Sequence, residues 1–342
     1  MSKSIKNCFY QKLTFENLLK AHNRAKKNKG NKKEVIRFEM DLESNIINII
    51  HRLKNGSYKT SKYREFKIYE PKERVIKSLP YKDRIVQQWY IYEFIMPYIV
   101  PRLVNTCSAC IIDRGTHYAV NMIEKYMRYM KRKYNNYYII KLDIKKYFYN
   151  IDKNILYQII ASFIKDKSLL WLTKIFIYDN DSELGIPIGN YTSQYYANIY
   201  LSLLDKYIKE ELKVKYYVRY MDDIVILVKD KSECSVLMNK IKLFLYNKLK
   251  LELNKKSRYY PNSLGVNFCG YIIYETHRLI RKDSKKKIKS KVRKWLKLNE
   301  MNTLDKNKVI LSYNSWLSHI SHANSYHFKV IIDEKMKKIL IL

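Results

Sequence analysis

The stretch Val214-Lys215-Tyr216-Tyr217-Val218-Arg219-Tyr220-Met221-Asp222-Asp223-Ile224-Val225-Ile226-Leu227-Val228 holds two apolar runs with only Met221-Asp222-Asp223 between them. Val, Ile and Tyr favour a pleated, half-buried surface, so Val214 to Tyr220 and Ile224 to Val228 read as strands joined by a tight turn. Two adjacent carboxylates in such a turn repel each other unless a cation neutralises them or solvent reaches both. Successive strand residues point to opposite faces, so one carboxylate is expected as the main ligand of a cation and the other as its support. Asp-Asp alone says little, because Asp is common in turns.

Outward from this turn, Tyr137-Tyr138-Ile139-Ile140-Lys141-Leu142-Asp143-Ile144 is another β-rich run, and it ends on a carboxylate. Asp143 beside Asp222 on adjacent strands supplies oxygen ligands suited to Mg²⁺, a hard ion that keeps waters for substrate phosphates. Two such ions would stabilise the attacking and leaving oxygens of an in-line phosphoryl displacement. Helical patterning covers Leu169 to Ile177 and Ser193 to Leu212, the latter with Ala197, Tyr200, Leu201 and Leu204 apolar. A helix near Val236 to Leu249 and a strand near Asn267 to Ile273 follow. This order predicts an α+β fold, a mainly antiparallel sheet with helices on one face, rather than a doubly wound sheet.

The N-terminal third is helical and basic. Phe15, Leu18 and Leu19 open a helical face, Lys26 to Lys33 interrupt it as a solvated loop, and periodicity resumes through Ile46, Ile47, Ile49, Ile50 and Leu53 until Asn55-Gly56. Phe66 to Tyr69 and Arg74 to Ile76, separated by Glu70-Pro71-Lys72-Glu73, predict a β-hairpin with basic residues about its turn. A helix from Tyr81 to Ile99 is broken by Pro97 and Pro101. Lys285 to Leu342 returns to basic helical patterning, with Trp295, Trp316 and Leu317 as core candidates.

Composition bounds the function. At 47% hydrophobic and 14% aromatic, the chain can bury a core, which excludes wholesale disorder. Its 342 residues suggest two or three domains. Gln87, Gln88, Glu93 and Arg102 interrupt the apolar stretch from Ile85 to Val104, and the first residues lack a signal-peptide core. A cytoplasmic protein with no membrane partner is therefore expected. The net charge of +35 produces a positive field whose usual partner is a polyanion. AT-rich coding would also raise lysine, but it would not leave acids so scarce. The five cysteines are odd in number and scattered, as reduced thiols would be. Cys107 and Cys110 have a C-x-x-C spacing without the second pair that a zinc site needs.

Tyr220-Met221-Asp222-Asp223 resembles the Y-x-D-D signature of reverse transcriptases, and other pieces follow in that family's order. Asp143-Ile144-Lys145-Lys146-Tyr147-Phe148 resembles the first catalytic motif, and Ile188-Gly189-Asn190-Tyr191-Thr192-Ser193-Gln194 the next. Leu251-Glu252-Leu253-Asn254-Lys255-Lys256-Ser257 is similar to the lysine-bearing motif, and Phe268-Cys269-Gly270-Tyr271 to the primer-grip hairpin. Pro71 to Ile76 and Asp83-Arg84-Ile85-Val86-Gln87 resemble bacterial fingers motifs. The likeness runs from about Tyr69 to Tyr274 and, more weakly, through Ser318-His319-Ile320-Ser321-His322-Ala323-Asn324-Ser325-Tyr326.

The resemblance implies a right-hand polymerase: N-terminal region and fingers over 1–135, palm over 136–275, and a small helical thumb over 276–342. Segment 152–185 is placed either in the palm or against the fingers. The implied activity is RNA-directed DNA synthesis on an RNA template, from a DNA or RNA primer and dNTPs. Two Mg²⁺ ions, with Mn²⁺ as a substitute, would be held by Asp143, Ile144, Asp222 and Asp223. Phe148 would lie beneath the incoming sugar, where its ring would clash with a 2′-hydroxyl. Gly189 lacks a Cβ, so backbone there can approach a base pair closely. Lys72 and Arg74 would hold the triphosphate by charge-assisted hydrogen bonds. Arg84, Ile188, Gln194, Tyr220 and Met221 complete the implied substrate contacts. Lys256 would protonate the departing pyrophosphate, with Lys255 as its alternative because this motif is one residue shorter than usual. Plainer roles stand beside these: a core phenylalanine, a turn glycine, solvated lysines.

Most reverse transcriptases carry Gln-Gly where this chain has Ile188-Gly189, and Ser-Pro where it has Ser193-Gln194. The Gly-Asn-x-Thr-Ser-Gln form is similar to enzymes of diversity-generating retroelements and to related antiphage-defence reverse transcriptases. Loss of a polar contact at Ile188 would weaken discrimination, so error-prone synthesis is expected. A structured RNA or a small basic accessory protein is the implied partner. The segment after Tyr274 has room for a thumb but not for an RNase H or endonuclease domain. The competing expectations are an RNA-synthesising or untemplated nucleotidyl transferase and a non-enzymatic basic RNA-binding scaffold.

Overall fold

A computed structural model describes residues 4–69, 73–179 and 182–340. Its strands, in chain order, are β1 (Arg64–Ile68), β2 (Arg74–Ser78), β3 (Tyr138–Asp143), β4 (Tyr217–Tyr220), β5 (Asp223–Val228), β6 (Arg258–Pro261), β7 (Val266–Phe268), β8 (Tyr271–Ile273) and β9 (Arg278–Ile280). Four of them form the central sheet in the order β4–β5–β3–β6, antiparallel throughout. The pairs β1–β2 and β7–β8–β9 form two smaller antiparallel sheets. Mixed helices around an antiparallel sheet give the α+β arrangement expected.

Apart from Lys141 and the acids at one end, both alternating sets of side chains along β3 and β5 are apolar, so both faces of the central sheet are covered. Ile140, Leu142, Ile224 and Ile226 enter one core, shared with helices Tyr191–Tyr200 and Lys231–Leu249 and with the N-terminal helices. This is the expected layer of helices. Ile139, Val218, Val225 and Leu227 enter a second core on the other side. That core takes helix Thr116–Tyr134, the β7–β9 sheet, and the C-terminal helices Lys282–Glu300, Lys306–Ile320 and Tyr326–Leu340. Trp316 is buried there, with Trp295 and Leu317 half-buried against it.

Several elements differ from expectation for local reasons. The helix opened at Tyr81 is α-helical to Tyr90, widens to a π-turn over Ile91–Ile95, and ends in the short Met96–Tyr98. Pro97 has no N–H for the carbonyl of Glu93. That oxygen instead accepts from Lys12 Nζ at 2.8 Å, whose ammonium also meets the Glu93 carboxylate at 3.1 Å. The run Asn267 to Ile273 is a hairpin rather than one strand, because Cys269 and Gly270 both take positive φ. The strand before the acidic turn starts at Tyr217 rather than Val214. Helix Thr116–Tyr134 buries Ala119, Val120, Ile123, Met127 and Met130 at helical spacing beneath a basic, tyrosine-rich outer face.

Candidate active site

The β4–β5 register pairs Tyr220 with Asp223, leaving Met221-Asp222 as a two-residue loop. Tight hairpin loops need positive φ at their first position, and Met221 supplies it at 54°. Asp223 is thus the first residue of β5 and not part of the turn. β3 lies on the other side of β5 with Asp143 directly opposite Asp223. Directly paired residues share a face with Cβ atoms about 4.5–5.5 Å apart, so two acids distant in sequence meet at one sheet edge. Asp222 sits beside them in the loop. Burial first, then the nearby Asp143 charge, raises its carboxyl above the ordinary 3.8, while Arg74 and Lys141 pull it back.

Lys141 is a residue that sequence reasoning missed. It lies two positions before Asp143, on the same face, and its ammonium forms an ion pair with Asp223. The same nitrogen sits 4.5 Å from the centre of the Phe268 ring. Burial pushes this lysine down to about 7, against the pull of the Asp143 and Asp222 charges. A lone lysine within the apolar run Tyr138 to Leu142, in phase with Asp143, was the available signal. Among the described residues, no three His, Cys, Asp or Glu side chains are gathered closely enough to hold a metal ion. Asp143 and Asp223 are paired in register, and Asp222 adjoins them in the loop within electrostatic reach of Asp143. Their donor chemistry, oxygen only and charge-rich, fits a hard divalent cation. Ile144 is buried, so only its main-chain carbonyl can join such a set.

The acidic turn is held from beneath by Arg219, a second residue without a sequence-level assignment. Its guanidinium is fully buried and donates to Asp205 Oδ1 at 2.7 Å, Asn198 Oδ1 at 3.2 Å and the Met221 carbonyl at 3.1 Å. Burial is the strongest single influence and opposes its charge, but Asp205, Cys107 and Tyr217 together hold it well above the ordinary guanidinium value. Cys107 accepts from the same guanidinium at 3.2 Å. All five cysteines are free thiols.

The fingers motifs meet the sheet through β2. Lys77 N donates to the Ile188 carbonyl at 2.8 Å, which lays the β1–β2 hairpin along the Ile188-Gly189 segment. Gly189 has φ 121°, and a Cβ there would stand 2.7 Å from the Lys77 carbonyl oxygen. Ile188, Val75, Lys77, Tyr149 and Ile186 line a cavity of about 150 Å³. Asn190 donates to Tyr63 Oη at 2.6 Å, and Tyr63 in turn bonds the buried Asp179. Arg74 opens β2, and its charge reaches Asp222. Arg84 is engaged otherwise: it donates to Leu79 O at 2.8 Å and Ser78 Oγ at 2.9 Å, and it pairs with Glu34 at 3.1 Å. Lys72 lies outside the described residues. Gln194 is exposed on its helix.

Phe148 is half-buried in the short helix Tyr147–Asn150, its ring 5.7 Å from that of Tyr147. The lysine-bearing loop grips the end of β3 by its backbone. Asn254 N donates to Asp143 O at 2.7 Å, and Asp143 N donates to Ser257 Oγ at 3.1 Å. Lys255 and Lys256 are both exposed there. In the β7–β8 hairpin, a Cβ on Gly270 would stand 2.8 Å from the His319 ring, and Tyr271 Oη donates to His319 O at 2.9 Å. That couples the hairpin to helix Lys306–Ile320.

An antiparallel sheet with acids at its hairpin edge, helices behind it, a β-hairpin laid over it and a helical C-terminal unit defines a right-hand nucleic-acid polymerase. The family profile described as "Reverse transcriptase (RNA-dependent DNA polymerase)" matches residues 58–273, and the chain belongs to that family. It is similar to the group II intron-encoded protein LtrA of Lactococcus lactis subsp. cremoris, 25% identical over 313 residues, covering 68% of this chain and 50% of that protein. It is also similar to a protein assigned to intron 2 of COX1/OXI3 in Saccharomyces cerevisiae, 26% identical over 236 residues, covering 48% of this chain and 27% of the relative. The chain thus spans half or less of these curated relatives. Among solved structures, a Candida tropicalis telomerase truncated from its C-terminal domain superposes with a TM-score of 0.49 at 15% identity, over 65% of this chain and 55% of that one. Among the described residues, no helix is long and apolar enough to cross a membrane.

Proposed function

We propose that the chain is an RNA-directed DNA polymerase. The 3′-hydroxyl of a primer paired to an RNA template attacks the α-phosphate of a dNTP, a P–O bond forms, and pyrophosphate leaves. The observation that supports this most directly is the register of Asp143 against Asp223, with Asp222 beside them in the two-residue loop. Two divalent ions, Mg²⁺ or in its place Mn²⁺, would be held by Asp143, Asp222, Asp223 and the Ile144 carbonyl, and would supply charge stabilisation to the attacking and leaving oxygens. Lys141 orients Asp223 from the same face. Arg74, whose charge already reaches Asp222, takes the triphosphate together with Lys72. Phe148 bars a 2′-hydroxyl, and Lys256 serves the leaving group. Most of the rate comes from positioning and electrostatics.

The test is Asp222→Ala in primer extension with purified protein. Incorporation is expected to vanish while RNA binding persists; near-normal extension would refute the site. Supplying NTPs in place of dNTPs, with and without template, separates this activity from RNA synthesis and from untemplated transfer.

Within the family, the Ile188-to-Gln194 segment supports the diversity-generating type, with error-prone copying, or the related defence type that shares this segment. Ile188 borders a cavity beside Val75, Ile186 and Pro187, and its own side chain offers no hydrogen bond to an incoming base. Ile188→Gln is expected to narrow the misincorporation spectrum; an unchanged spectrum removes this refinement. A structured RNA or a small basic protein would then select the template.

A further inference from the structure

The far end of the central sheet, opposite the carboxylates, carries a second concentration of chemistry. From Asp223 to Lys229 the chain climbs six residues, about 20 Å at strand rise. There the end of helix Thr116–Tyr134 meets the segment entering β4 and the residue leaving β5. Tyr129 and Tyr216 lie with ring centres 5.5 Å apart. Lys215 Nζ sits 5.5 Å from the Tyr129 ring centre and 5.6 Å from that of Tyr216. Tyr134 is flanked by Lys133 at 5.1 Å and Lys229 at 5.8 Å. The three lysines are exposed and the three tyrosines half-buried. A hydrogen bond with Tyr216 first, then the charges of Lys133 and Lys215, holds the Tyr129 phenol below its ordinary value. The acid paired with one of these lysines is Asp230, 3.8 Å from Lys229.

We propose that this surface is a second nucleic-acid site, a platform that holds single-stranded RNA outside the catalytic cleft. A solvated lysine face needs no aromatic rings. Rings under exchangeable ammonium groups offer what unpaired bases stack on, and the cations follow the phosphates. A duplex would keep its bases stacked and could use only the charge. That the strand is RNA, the unpaired flank of the template, rests on the proposed function; the surface itself does not.

The test compares wild type with the triple variant Lys133→Ala, Lys215→Ala, Lys229→Ala and with Tyr129→Ala. The probe is a labelled oligo(U) of about 15 nucleotides, near the upper site size of such platforms, added after the cleft is saturated with a blunt RNA–DNA duplex. Tyr129→Ala is expected to weaken binding roughly ten-fold. The triple variant is expected to flatten the salt dependence by about 2 log units per log unit of salt, the slope of three lost phosphate contacts. Extension of a template–primer whose 5′ overhang is only the few nucleotides to be copied should be unchanged in both variants. On a template whose 5′ overhang continues into a long unpaired RNA tail, wild type alone should show a lowered KM. Unchanged oligo(U) affinity would overturn the proposal and leave a protein as the occupant. A DNA tail as effective as the RNA tail would overturn RNA as the ligand. Loss of extension on the short-overhang template would show that the surface is not separate from the cleft. A wild-type chain that binds the probe but never polymerises would sink the polymerase assignment and not this one.

Discussion

The two ends of the central sheet are made from the same strands and carry opposite charge. At one edge Asp143, Asp222 and Asp223 stand together, with Lys141 engaged against them. At the other, Lys133, Lys215 and Lys229 surround tyrosine rings. In a chain of net charge +35, cations at a surface are the default, whereas three converging acids are not. The acidic edge exists because strand register forces it. A one-residue slip of β3 would send Asp143 to the opposite face and dissolve the cluster.

The comparison breaks most sharply at Asp143. Asp143→Ala should reduce dNTP incorporation to background in a gel-based extension assay, while oligo(U) binding at the far end is retained. Next comes Gly189→Ala. Its methyl would press on the Lys77 carbonyl at 2.7 Å and displace the β1–β2 hairpin from the acidic edge. A misplacement of about 1 Å costs on the order of 100-fold in kcat/KM, which steady-state kinetics with an unchanged circular dichroism spectrum would reveal. Lys141→Met leaves Asp223 without its cation. The substitution also removes an ammonium that burial disfavours, so the two effects oppose and the net change in urea unfolding is expected to stay within about 1 kcal/mol. Added Mg²⁺ should stabilise the variant more than wild type, because the Asp223 carboxylate is freed.

The smallest effect sharpens the picture through pH. The folded-state carboxyl of Asp222 is raised above 3.8, so the folded chain binds more protons than the unfolded one just above that value. Stability therefore falls as pH rises through that window, and the penalty persists in full above it. Asp222→Asn cannot ionise. In EDTA it should melt higher than wild type at neutral pH, and the two should converge below pH 3.8. Melting curves across pH read this directly.

Much of the acidic edge was legible because its residues obey short-range rules. A two-residue loop between β-branched runs predicts its own hairpin, and a carboxylate ending the next apolar run predicts a neighbour. What escaped depends on partners far away in the chain. Arg219 looks like a solvent-facing strand residue until helix Ser202–Lys206 brings Asp205 beneath it. Lys141 reads as one more lysine in a lysine-rich chain until Asp223 and Phe268 enclose it. Arg84 resembles a substrate-binding residue by local likeness, while three of its five N–H donors engage Ser78, Leu79 and Glu34. Helix Thr116–Tyr134 was hidden because its outer face is as aromatic as its inner one is apolar.

The guanidinium under Met221 has a mechanical meaning. It pins the loop carbonyl to a counter-charge on an interior helix, so the acidic tip is referenced to the middle of the protein and not to its surface. Such a tip serves as an anvil. On the proposed function, the parts that travel during successive nucleotide additions would be the hybrid and the elements that grip it.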